Sequence, residues 1–138
     1  GLRTAGGHVH VGYGNPSEER SYEIACILDY LLGVSSVLLD DDTRRRDLYG
    51  KAGACRLKAY GVEYRVLSNF WLGSEELQSW IFNITSLVTD LDLNYMMETF
   101  ASPEEVQRTI NTSDKSSAEA IVSTMMDSIE GFYMPKGQ

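Results

Sequence analysis

ACRLKAYGVEYRVL, residues 54–67, is the stretch on which the fold turns. Apolar and polar residues alternate with period two on both sides of Tyr60-Gly61, the pattern of a β-hairpin with a tight turn. With Tyr60-Gly61 as a two-residue turn, Ala59 pairs with Val62, Lys58 with Glu63, Leu57 with Tyr64 and Arg56 with Arg65. One face then carries Arg56, Lys58, Glu63 and Arg65; the other carries Cys55, Leu57, Ala59, Val62, Tyr64 and Val66. Arginines set directly opposite each other repel, and a sheet tolerates this best with an anion between them. The plainer alternative is a solvated face on which Lys58 and Glu63 form an ordinary cross-strand ion pair.

A second stretch, GGHVHVG at 6–12, alternates in the same way and reads as a strand over 7–13. His8 and His10 leave it on one side, about 6–7 Å apart at the backbone, which suits a shared metal or a metal with a phosphate. The bland reading is a pair of surface or core histidines. Gly6, Gly7, Gly12 and Gly14 permit close backbone approach to a ligand, or are simply turn residues.

Between these stretches NPSEE predicts a helix start with Asn15 as N-cap, Pro16 first and Glu18 closing a capping box. Ile24, Ile27, Leu28, Leu31 and Leu32 recur at helical spacing as far as Gly33, a stop or bend, and VSSVLLDDD makes a second short helix. From Ser74 onward the pattern is helical: Leu77, Trp80, Ile81, Ile84, Leu87, Val88, Leu91 and Tyr95 form one stripe. SPEE at 102–105 starts another helix, and Ala118, Ile121, Val122, Met125 and Ile129 mark a last one. Phe70, Trp71 and Trp80 read as core in preference to a substrate pocket, Met96, Met97, Met125 and Met126 as core filler, and Asp40–Asp42 as a solvated loop. The chain holds no internal repeat.

Composition narrows the classes. With 138 residues, 43% of them hydrophobic, the chain can bury a real core. No apolar run reaches the roughly 18 residues that span a bilayer, and no signal-like leader is present, so a cytoplasmic protein with no membrane partner is expected. Cys26 and Cys55 read as reduced core thiols, and the sequons at Asn83 and Asn111 as chance matches. Net charge is −8: residues 1–73 carry nine basic and nine acidic groups, and 74–138 carry three and eleven. The acidic second half argues against a nucleic-acid partner. Seven of the twelve basic residues fall between Arg44 and Arg65, the place to hold an anion. Gly1 at the start, followed at once by a patterned segment, points to a fragment.

One carboxylate, two histidines and several cations on short strands suit phosphoryl chemistry. The motifs also carry a resemblance. AGGHVHVGYG resembles the H-x-H strand of the carboxylate-amine ligase superfamily of glutamine synthetase and glutamate-cysteine ligase. SSVLLDDDTRRRDLYGKAGACRLKAYGVEYRVLSNFWL is similar to the phage-encoded type 2 amidoligases of that superfamily. The likeness covers residues 4–73 and extends loosely over the helical remainder.

It implies an α+β fold: the antiparallel sheet of the C-terminal half of a glutamine synthetase-like catalytic domain over 1–73, then an all-helical region over 74–138. It also implies ATP-dependent amide formation through an acyl phosphate, with ATP and Mg2+ or Mn2+ as cofactors. His8 and Glu63 would hold the metal, and His10, Arg56, Lys58, Arg46 and Lys51 the nucleotide. Arg65 would contact the reacting carboxylate or the transferred phosphate, so that Glu63, Arg65 and Arg56 form the catalytic set.

Substrates would be small molecules or peptides bearing a carboxylate and an amine, in the host cytoplasm if the gene is a phage's. The superfamily's further metal carboxylates lie before the H-x-H strand, so a missing N-terminal segment or partner chain, or a homo-oligomer, is expected to complete the site. The competing readings are a non-catalytic interaction module and a metal-dependent hydrolase using His8, His10 and Glu63.

Overall fold

The structure, a computed structural model, describes residues 6–41 and 50–136. A three-stranded antiparallel sheet, in the order β1-β3-β2, is built from β1 (Val9–Gly12), β2 (Cys55–Lys58) and β3 (Gly61–Tyr64). Alternation sends Val9, Val11, Val62 and Tyr64 to the core, all 7% exposed or less. The architecture is thus mixed helix and sheet.

The hairpin register departs from the sequence expectation. Lys58 pairs with Gly61, Leu57 with Val62, Arg56 with Glu63 and Cys55 with Tyr64, so Ala59-Tyr60 is the loop. Gly61 belongs to β3 because β1 crowds it there: its φ is 150°, and an added Cβ would strike the Val11 carbonyl oxygen. The register moves by two residues, so each side chain stays on its expected face. The facing arginines are not formed, because Arg56 lies opposite Glu63.

Helix α1 (Glu18–Leu28) packs on β3. Its N-cap is Ser17, whose hydroxyl accepts from the Arg20 amide, and not Asn15. Asn15 sits in the left-handed region at φ 52°, two residues before the cap position. Gly33 does not stop the helix. A π-helical turn, Asp29–Gly33, closes with the Val34 amide donating to the Asp29 carbonyl, and α2 (Val34–Leu39) continues from it. Glycine is required at 33 for packing: a Cβ would lie 2.6 Å from Ile110 Cδ1 and 2.9 Å from the Tyr64 hydroxyl.

The resulting Glu18–Leu39 helix is, by length and composition, long and apolar enough to cross a bilayer, contrary to the expectation that no apolar run reaches that length. In this fold 72% of its apolar window is buried, as in the central helix of a packed domain.

The expected stripe from Ser74 divides into α3 (Glu75–Thr85), a 3-10 turn at Val88–Asp90 and α4 (Leu93–Thr99). Then come α5 (Pro103–Thr112), capped by Ser102, and α6 (Lys115–Ser128), capped by Asp114. Trp80, Ile84, Met96, Val106, Ile110, Val122 and Met125 join the sheet and the central helix in one core cluster. Met97 and Met126 are exposed, so they are not core filler. Asn111 serves inside the fold, where its side-chain oxygen accepts from the Ala52 amide at 2.8 Å.

The central helix carries a buried polar seam. Asp29 accepts from the Tyr64 hydroxyl at 2.7 Å and from the Gly53 amide at 3.0 Å, linking the π-turn to the sheet. Tyr30 donates to the Ala101 carbonyl at 2.7 Å, and burial, helped by Cys26, Asp29 and Glu104, pushes its hydroxyl up to about 12. Burial and Asp29 also raise the Cys26 and Cys55 thiols, which are free and protonated at neutral pH.

Candidate functional site

The face of the sheet opposite α1 is where the chemistry-bearing residues meet. His10, Glu63 and Arg56 stand side by side across all three strands, because Glu63 on central β3 pairs with His10 on one side and Arg56 on the other. The next row is Gly12, Gly61 and Lys58. The two glycines there add no side chain of their own, and the Tyr60 and Tyr13 rings lie close to their positions.

Glu63 is the centre. Its carboxylate accepts from Arg65 Nη1 at 3.0 Å on Oε1, with Arg56 Nε 3.9 Å from the same oxygen. On the other side His8 Nδ1 lies 3.5 Å and His10 Nε2 3.7 Å from Oε2. The residue is only 7% exposed. Burial alone would push its carboxyl up, but the hydrogen bond and charge of Arg65, with His8 and Lys58 behind them, outweigh it and hold the group below its ordinary value. Glu63 is therefore ionised at neutral pH. One carboxylate faces three permanent cations and two imidazoles, a surplus of positive charge that a bound anion would neutralise.

Sequence reading thus gathers His8, His10, Arg56, Lys58, Glu63 and Arg65 on one face, and the structure brings them together. Lys51 lies exposed before β2 and is not among the groups that approach Glu63. Arg46 lies outside the described residues. Two contributors escape the sequence. The Tyr60 hydroxyl hydrogen-bonds His10 Nδ1, with the rings 5.9 Å apart, and so orients the imidazole toward Glu63. Trp71 donates its Nε1 to the Gly7 carbonyl at 3.3 Å and walls a groove along β1. Tyr60 has no local signal, since a turn tyrosine looks like any exposed turn residue.

Among the described residues no group of three or more His, Cys, Asp or Glu side chains comes together to hold a metal ion. That does not fit the closed ligand set of a tetrahedral zinc site. Glu63 fits one side of a magnesium shell, since that ion commonly takes one or two carboxylates and fills the remaining positions with phosphate oxygens and water, whereas the His8 imidazole is a ligand better matched to softer metals.

A buried glutamate thus stands inside a cation-rich sheet face, and comparison with known proteins places the chain in a family of ligases. The family model for phage phiEco32-like COOH.NH2 ligase-type 2 matches residues 3–134, and the chain belongs to that family. No curated protein and no solved structure matches it.

Proposed function

We propose that the protein is an ATP-dependent carboxylate-amine ligase that works through an acyl phosphate. The observation that carries the reading is the Glu63 cluster: a buried, ionised carboxylate with more cations around it than it can neutralise. A substrate carboxylate oxygen attacks the γ-phosphorus of ATP and ADP leaves. The amine then attacks the acyl carbon, phosphate departs, and the amine gives up its proton.

Arg65 neutralises the reacting carboxylate or the transferred phosphoryl group, while Arg56 and Lys58 hold phosphate oxygens, with His10, Lys51 and Arg46 as further nucleotide contacts. His8 and Glu63 would hold Mg2+ or Mn2+, which would supply charge neutralisation on the phosphates. Glu63 thereby keeps the arginines aligned for an anion that is not yet bound.

The sheet corresponds, in this reading, to the C-terminal half of a glutamine synthetase-like catalytic sheet. A further segment or a partner chain supplies the remaining metal carboxylates, and the enzyme is a phage product acting in the host cytoplasm.

Calorimetric titration with a slowly hydrolysed ATP analogue and magnesium tests the reading. Micromolar binding that Glu63→Ala and Arg56→Ala each weaken tenfold or more, about 1.4 kcal/mol, is expected. Unchanged binding in both variants removes the nucleotide from this face.

A further inference from the structure

The hairpin loop Ala59-Tyr60 is held on both sides, by the Lys58–Gly61 pair that closes it and by the Tyr13 amide, which donates to the Tyr60 carbonyl at 3.1 Å. Its tyrosine therefore leaves the sheet from a fixed backbone position. The ring passes beside Gly12, where an added Cβ would lie 3.9 Å from its Cδ1, and its hydroxyl reaches His10 Nδ1. The His10 side chain is 53% exposed, and an imidazole so exposed and held at one end only can turn among its rotamers. Tyr60 gives it a second hold.

The two contacts also decide which ring nitrogen carries the proton. Glu63 is ionised, so the nitrogen that faces its Oε2 at 3.7 Å, Nε2, is favoured as an N–H over a bare lone pair. In the neutral ring Nδ1 is then the acceptor, and the Tyr60 hydroxyl is its donor. The partners assign the tautomer. His8 meets the same Oε2 through its other nitrogen, Nδ1, at 3.5 Å, so the two histidines are not equivalent.

We propose that Tyr60 is a positioning residue of the ligase site: its hydroxyl holds neutral His10 as an Nε2–H donor on the Glu63 side of the face, where a phosphate oxygen of the nucleotide is to be met. The assignment rests on the ligase reading and deepens it by giving the two histidines different tasks. Both nitrogens of His10 are engaged, Nδ1 by the tyrosine and Nε2 by its own proton, so His10 donates to an anion and takes no part in a metal shell. Tyr60 acts only through His10.

A double-mutant cycle on affinity for the slowly hydrolysed ATP analogue with magnesium, read calorimetrically, tests this. Tyr60→Phe, which removes one oxygen from an exposed loop, is expected to weaken binding about three- to tenfold, since the donor is kept and only its orientation is lost. His10→Ala is expected to weaken it by at least as much, and the double variant no further than His10→Ala alone, because the tyrosine then has nothing to position.

Nitrogen NMR of the imidazoles reads the same contact without nucleotide. The chain has two histidines, so His10 is the one whose signals vanish in His10→Ala. At about pH 8.5, roughly two units above the ordinary imidazole value, the parent is expected to show Nδ1 unprotonated and Nε2 protonated. Tyr60→Phe is expected to move both resonances toward those of a free imidazole.

A loss from Tyr60→Phe that persists in the His10→Ala background overturns the proposal, as do nitrogen shifts that Tyr60→Phe leaves unchanged or a parent ring protonated on Nδ1. The two readings fail separately. A His10 ring held by Tyr60 in a chain that binds no ATP analogue sinks the ligase and leaves the tyrosine's hold standing, whereas analogue binding that Tyr60→Phe does not weaken sinks only the positioning.

Discussion

Two regions of the molecule bring arginine to carboxylate, and they do so in opposite proportions. On the sheet, one carboxylate, Glu63, is approached by Arg65 and Arg56 and by two histidines, and its side chain is 9% exposed. On the helices, one guanidinium, Arg108, serves two carboxylates at 2.6 Å (Glu105) and 2.9 Å (Asp114), with Arg108 46% and Glu105 42% exposed. The helical cluster is closed: Ser117 completes it, and it ties the start of α6 to α5. The sheet cluster is not balanced in that way, because its single carboxylate is outnumbered by the cations around it. Both are ion pairs, but on the sheet the carboxylate is the buried member and is outnumbered by its cations, and its burial strengthens its pull on them.

The contrast is most exposed to failure at Glu63. Glu63→Gln keeps the shape and removes the negative charge, and amide formation is expected to fall on the order of 10²–10³-fold, measured as ADP release coupled to product. A loss under tenfold would make Glu63 no more than a structural ion pair. Beneath the same sheet, Gly33→Ala forces a methyl between Ile110 and the Tyr64 hydroxyl and is expected to cost about 1–3 kcal/mol in urea unfolding. A neutral result would mean that the π-turn yields easily and does not hold the site rigid.

A pH series sharpens the picture further. Tyr30 titrates at about 12 in the fold against 10.0 when free, so its contribution is complete below pH 10 and is lost as pH rises through about 12. Denaturation midpoints are expected to decline over that interval, and Tyr30→Phe to flatten the decline. At the other extreme, Arg108→Ala on the exposed helices is expected to lower the denaturation midpoint only slightly, since exposed pairs contribute little even where several meet. A large drop there would erase the distinction between the two clusters.

Much of this was legible in the sequence because alternation records faces even where it misplaces partners. The hairpin's expected and observed registers differ by two residues, and a shift of two preserves which side chains share a face; the cluster survived a wrong turn for that reason. What stayed hidden depends on distant neighbours. Gly61 looks like a turn residue until β1 is placed against it, and Gly33 looks like a helix stop until Tyr64 and Ile110 are seen to need the space. Asn15 and Ser17 both satisfy a capping pattern, and only the backbone conformation chooses between them. The partnership of Tyr60 with His10 spans 50 residues and leaves no local trace.

The π-turn at Asp29–Gly33 has a consequence for how this chain tolerates length changes. It holds one residue more than a regular turn would, so it acts as a phase shifter between two helical segments that each face the core correctly. Deleting a single residue there would give a smoother helix, better by local propensity, but would rotate Val34–Leu39 by about 100°. Val34 and Val37 would then swing away from the core they now fill. The irregularity thus makes the neighbouring regular segments compatible with one interior, and a deletion that improves the helix would undo the fold around it.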